Sequence, residues 1–181
     1  KYTTQLEQFR EELYQTFNNR ADTLMELVDA ISSNPYARSI VEYSLTPCFR
    51  RSYSTIFKAI NEMEMDDLMT ARLLAPHLPR PQQRPFWLFG TDVTPQPRQF
   101  AHTLPDRGMV YQPNSIKGNT PVTIGHQYST TVLFPEEEVG VSPSWVIPLM
   151  TSRVPTDKDK ELMGSGQIDA LLQDSELPFG D

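Results

Sequence analysis

Apolar residues recur at three- and four-residue spacing through the first third of the chain. Leu6, Phe9, Leu13 and Phe17 form one such stripe, and Leu24, Leu27, Val28 and Ile31 form a second. This spacing places side chains on one face of an amphipathic helix, so residues 4–32 are expected to be helical, interrupted at Asn18-Asn19. Asn34-Pro35 offers an N-cap followed by a proline at the first helical position. A third helix is therefore expected there, carrying Ala37, Ile40 and Val41 inward and stopping at Thr46-Pro47. Ser52 is a candidate cap for a fourth helix bearing Ile56, Ala59, Ile60 and Met63. Asp66-Asp67 opens a fifth, LMTARLLAPHL, closed by Pro79.

Beyond the arginines and prolines of residues 79–85 the period changes. Residues 86–92 are rich in strand-forming aromatics, and residues 110–112 suit a short edge piece. Residues 122–134 alternate over a long stretch. Residues 145–154 form another strand, with Pro148 favouring an edge or a bulge. Residues 158–173 return to a helical pattern through Leu162, Ile168, Leu171 and Leu172, weakened by Gly164 and Gly166. The expected organisation is α+β: a helical domain over 1–78, a Pro-rich linker over 79–85, and a domain of antiparallel strands and a first helix over 86–181.

Composition narrows the chemistry. The 181 residues include 16 prolines, 8 glycines and a single cysteine, Cys48. A disulfide framework is excluded, and a reducing compartment is expected. No apolar run is long enough to span a membrane, and the first residues lack a signal-peptide core. Cys48 reads as a small buried or half-buried side chain. His77 and His102 read as surface residues, and three histidines with one cysteine lack zinc-ligand spacing. The net charge of −7 is unevenly spread: residues 1–84 carry −1 and residues 85–181 carry −6. This argues against a simple basic DNA-binding module. Glu136-Glu137-Glu138 reads as a solvated turn.

Two kinds of residue stand out within that frame. Asp92 follows the apolar run of residues 86–89 in RPFWLFGTDVTPQPR (residues 84–98), which places it at or near the end of a short buried strand. A carboxylate there either caps a turn with its side chain or is compensated by a metal, because a lone buried charge is costly. Basic residues cluster at Arg50, Arg51 and Lys58, where a helix start and paired arginines suit phosphate contacts. Arg98, Arg107 and Lys117 flank the loops after Asp92. His126, within GHQYST, either sits beside the catalytic region or is a hydrogen-bonded core histidine. Gly118-Asn119 is a hairpin-turn signal.

Longer phrases carry a resemblance. The order of residues 86–98, then DRGMVYQPN (106–114), KGN (117–119) and GHQYS (125–129) resembles bacterial insertion-sequence transposases of the DDE type. Residues 19–30 (NRADTLMELVDA) and 49–54 (FRRSYS) resemble the same family's leader region, so the resemblance covers nearly the whole chain. It implies an RNase H-like core whose opening strands and first helix fall in residues 86–181, and Asp92 as the first of three catalytic, metal-binding acids. The second Asp and the Glu of that triad would lie beyond Asp181, so the chain is expected to be the N-terminal part, or a truncated relative, of such an enzyme. Mg²⁺ as cofactor, transposon-end DNA as substrate, and a bacterial cytoplasmic, nucleoid-associated setting follow from the resemblance. No membrane partner is expected. Three readings remain: a transposase segment that does not cleave alone; a truncated or domesticated regulator binding DNA, an intact transposase or a second copy of itself; and a metal-independent scaffold.

Overall fold

The computed structural model describes residues 2–111, 121–136 and 145–180. The chain divides into two compact units, residues 1–69 and 70–181.

The first unit is helical. α1 (Tyr2–Thr16) and α2 (Ala21–Ser33) are separate helices, and Arg20 between them takes a left-handed φ of 51°. The expected third helix does not begin at Asn34. The Asn34 amide donates to the Ala30 carbonyl at 3.0 Å, ending α2, and its side-chain oxygen accepts from the Tyr36 amide at 3.3 Å. The helix that forms, α3 (Ile40–Ser44), starts after Ser39. Ser39 Oγ accepts from the Glu42 amide at 3.2 Å, and Glu42 reaches back to the Arg38 amide at 2.8 Å. This reciprocal capping satisfies two amides at the start of α3. α4 (Tyr53–Glu62) follows Ser52 as expected and buries Ile56 and Ala59 completely. Leu27, Ala30, Phe49 and Ile56 form the core, with Ile40, Tyr43, Cys48 and Ile60 packed against it. The stripe on α1 does not enter this core, since α1 contributes no buried residue.

The expected fifth helix is shorter: α5 (Met69–Leu74) begins at the unit boundary and runs into a 3-10 turn at Ala75–His77. Among the described residues four antiparallel strands follow: β1 (Phe89–Pro97), β2 (Gly108–Tyr111), β3 (Val122–Leu133) and β4 (Ile147–Val154). β3 is central. One edge pairs with β1, and the other pairs in succession with β2 and β4. α6 (Lys160–Gln173) closes the unit, capped by Asp159, whose carboxylate accepts from the Glu161 amide at 2.7 Å and the Leu162 amide at 3.2 Å.

β1 is displaced from its expected 86–92 and runs through two prolines. Its register explains why. Phe134 donates to the Leu88 carbonyl and Arg98 donates to the Ile124 carbonyl, so even-numbered residues of β1 bond to β3 in the alternating antiparallel pattern. The nitrogens of Pro95 and Pro97 therefore point to the outer edge, where no described strand is paired and no donor is required. Pro148 sits at a register shift in which Val132 faces Pro148 but Thr131 faces Met150, the bulge anticipated for it. The Gly118-Asn119 turn lies outside the described residues.

Candidate functional site

The sheet has two unlike faces. Along β3, Ser129, Thr131 and Leu133 are fully buried, while Tyr128, Thr130 and Val132 are only half-buried. α6 covers the odd-numbered face. Its buried Gln167 accepts from Ser129 Oγ at 2.6 Å and Thr131 Oγ1 at 3.2 Å, and donates to the Ser129 carbonyl at 3.1 Å. Gly164 lets the helix approach, because a Cβ there would lie 3.0 Å from Thr91 Oγ1.

Asp92 lies on the opposite, open face. It is the fourth residue of β1, mid-strand and exposed, so the expectation of a buried strand-end carboxylate is corrected. The strand continues because its prolines face outward, and the carboxylate stays in water because α6 packs on the other side. Direct pairing puts Asp92, Thr130 and Thr151 in one row across β1, β3 and β4, with the two threonine hydroxyls 3.1 Å apart. Thr94, Tyr128 and Arg153 form the next row. A groove of about 320 Å³ lies along this surface, lined by Gly90, Asp92, Thr94, Thr130, Val132 and Phe134.

The donors here are hard oxygens, the type a Mg²⁺-like ion takes. Their number falls short. Asp92 is the one carboxylate lining the groove, and no group of three His, Cys, Asp or Glu side chains that could hold a metal occurs among the described residues. These residues do not by themselves make a two-ion centre.

The other candidates are spread out. His126 shares the open face but lies four residues along β3 from Thr130, about 13 Å at strand rise. Its Nε2 is 3.0 Å from the Pro105 carbonyl, and its ring meets Tyr128 edge-on. Arg107 donates to the carbonyls of Arg98 at 2.8 Å and Gln99 at 3.4 Å. Arg107 and His126 thus hold the 98–107 loop through its carbonyls, while the Arg98 guanidinium donates to the Pro97 carbonyl at 2.9 Å. Lys117 lies outside the described residues. In the first unit, the Arg50 amide and guanidinium donate to Glu26 at 3.0 and 3.2 Å. Arg51 pairs with Asp22 at 3.5 Å and Glu26 at 3.4 Å. Lys58 is exposed on α4.

Two arrangements escaped the sequence reading. Asp106, at a φ of 52°, accepts from the Thr156 hydroxyl, the Thr156 amide at 3.2 Å and the Arg153 guanidinium. The Thr156 bonds, with the smaller help of Arg153, hold its carboxyl below the ordinary value. Glu136 is no solvated turn residue. Its carboxylate accepts from the successive backbone amides of Gln82, Gln83 and Arg84 at 2.6, 3.0 and 2.7 Å, which lower its pKa. Glu137 and Glu138 lie outside the described residues. The Pro105-Asp106 pair, with Gly108 two residues on, is a weak local turn signal for the first arrangement; the second joins residues more than 50 positions apart and leaves none.

Compared with known proteins, residues 12–173 match the model of a family described as DDE superfamily endonuclease. No curated protein and no solved structure matches the chain.

Proposed function

The chain belongs to the DDE superfamily endonuclease family, whose members act on DNA and typically use divalent metal ions, and from that premise we propose that it is a transposase segment in which Asp92 supplies one carboxylate of the metal centre. The observation that carries this reading is the position of Asp92: exposed, on the face of the sheet away from α6, in a row with the hydroxyls of Thr130 and Thr151. A DNA backbone can approach that face, and an oxygen-only set suits Mg²⁺. We assign DNA-backbone contacts to Arg50, Arg51, Lys58, Arg98, Arg107 and Lys117, and place His126 in the loop-holding role its bond to Pro105 supports.

In this reading the 181 residues do not cleave DNA alone. Two divalent ions bring four positive charges, and Asp92 brings one negative charge. Control of ion separation, on which in-line displacement depends, is then missing. Purified chain incubated with supercoiled plasmid and Mg²⁺ or Mn²⁺ should leave it closed. Nicking by the parent that disappears in Asp92→Ala would overturn the non-catalytic part of the proposal and show a completed site. DNA binding should be weak and steeply salt-dependent. In a double variant carrying Arg50→Ala and Arg51→Ala, the log–log salt slope should fall by about 0.9 for every phosphate no longer neutralised. An unchanged slope removes both residues from the interface.

The second reading, a non-catalytic partner of an intact transposase or of another copy of the chain, draws on the same ligand shortage. Co-sedimentation with the full-length enzyme tests it. The proposed setting is the bacterial cytoplasm, at the nucleoid. No described helix is long and apolar enough to cross a membrane.

A further inference from the structure

A cavity of about 520 Å³ opens in the second unit between residues 80–89 and residues 172–179. Its wall combines Arg80, Arg84, Phe86, Trp87, Phe89 and Phe179, with prolines between them and no carboxylate among the described residues. Phe89 is an odd-numbered residue of β1, so this cavity lies on the α6 side of the sheet, away from Asp92.

Most of the wall is held in place. Trp87 Nε1 donates to the Pro178 carbonyl at 3.0 Å. The rings of Trp87 and Phe89 meet Phe179 edge-on, with centroids 5.2 and 5.0 Å apart. The three amides of residues 82–84 bound by Glu136 fix the backbone that carries the arginines. Phe86 differs. Its ring is 56% exposed, and the Arg84 guanidinium lies 5.9 Å from its centroid. A rigid aromatic wall, one open ring with a guanidinium over it, and a second arginine at the rim match what an unpaired nucleotide requires: a π-face for the base and cations for the phosphate. Arg84 is already paired with Glu136 at 3.9 Å and donates to the Phe134 carbonyl, so Arg80 is the cation of this wall that suits an anionic occupant.

We propose that this cavity holds an unpaired nucleotide of single-stranded DNA, its base against Phe86 and Trp87 and its phosphate at Arg80. This rests on the DNA-processing reading above and adds to it a site for an unpaired strand. No covalent step is involved.

The test measures fluorescence anisotropy of a labelled ten-residue oligo-dT and of a blunt duplex, each titrated with the full chain. A parallel titration uses Trp145→Phe protein, in which Trp87 is the remaining tryptophan. Saturable oligo-dT binding with quenching of Trp87 is expected. Phe86→Ala should weaken oligo-dT at least about fivefold, and Arg80→Ala should lower its salt slope by about 0.7. Neither substitution should change duplex affinity. Phe86→Trp keeps a stacking face and should bind at least as tightly as the parent, which separates lost stacking from a damaged fold. Oligo-dT affinity unaltered by Phe86→Ala overturns the proposal, as does tighter binding of a decaproline peptide at Trp87. Duplex binding without oligo-dT binding overturns this site alone. Failure of both DNA forms to bind overturns the DNA-processing reading with it.

Discussion

Gln167 shows how one side chain can tie a helix to a sheet. Its amide completes bonds to two hydroxyls and a carbonyl that α6 and β3 bury together. Gln167→Ala leaves Ser129 and Thr131 without that partner in a dry interior. Unfolding in urea followed by tryptophan fluorescence should show a loss of about 2–4 kcal/mol. Both tryptophans, Trp87 and Trp145, lie in the second unit, so the signal reports that unit. Among the described residues, the same unit holds three carboxyls whose pKa values are lowered. The causes are, first, the Thr156 hydroxyl at Asp106, the Gln82 amide at Glu136 and the Arg72 guanidinium at Asp174. A carboxyl lowered in the folded state stabilises above its unfolded value, and that stability is lost as pH falls through the folded value. The melting temperature of the unit should therefore drop as pH falls below about 4. The drop should be shallower in Asp106→Asn, and equal slopes would remove Asp106 from the effect.

At the scale of elements, two glycines in α6 have opposite meanings. A Cβ at Gly164 would press on Thr91 at 3.0–3.3 Å, whereas nothing lies within 4 Å of one at Gly166. Gly166→Ala should raise stability by about 0.5–1 kcal/mol through helix propensity alone. Gly164→Val should lower it by about 1–3 kcal/mol by lifting the helix from β1. Urea midpoints moving in the same direction for both variants would contradict this packing. Gly125 is a stricter case. It faces Pro97 on one side and Gly108 on the other, and a Cβ there would meet the Gln96 carbonyl oxygen at 2.2 Å. Close backbone approach, rather than turn formation, explains a glycine in the middle of the longest strand.

For the molecule as a whole, the division at residue 69 makes a physical prediction. The first unit has its own core around Leu27, Ala30, Phe49 and Ile56, braced by Arg20 to Glu62 and Arg10 to Asp29 ion pairs. A fragment of residues 1–69 should give a helical circular dichroism spectrum and a cooperative melt. A coil spectrum, or a melt without a transition, would show that its core needs the rest of the chain.

Legibility differed between elements for identifiable reasons. α4 was readable because Ile56 and Ala59 fall on one helical face and both are buried. β3 was readable as a strand because Val122, Ile124, Tyr128 and Val132 recur at even spacing among threonines, with no proline inside it. Phrases shared with DDE transposases were enough to identify the family, and Asp92 was correctly placed on a strand facing β3. The start of α3 was misread because Asn34-Pro35 and Ser39-x-x-Glu42 are both plausible openings. Only the chain's path chose the second, using Asn34 to end α2. The span of β1 depended on which edge was left unpaired, since prolines are allowed only where no amide is needed. The surroundings of Asp92 depended on which face α6 covers, and the buried face of β3 is lined by Ser129 and Thr131, so hydropathy did not mark it. Local periodicity and capping are set by neighbours within a few residues, and these the sequence carries by itself. Strand edges, sheet faces and the clasp of Glu136 on residues 82–84 join distant positions, and only the tertiary structure decided them.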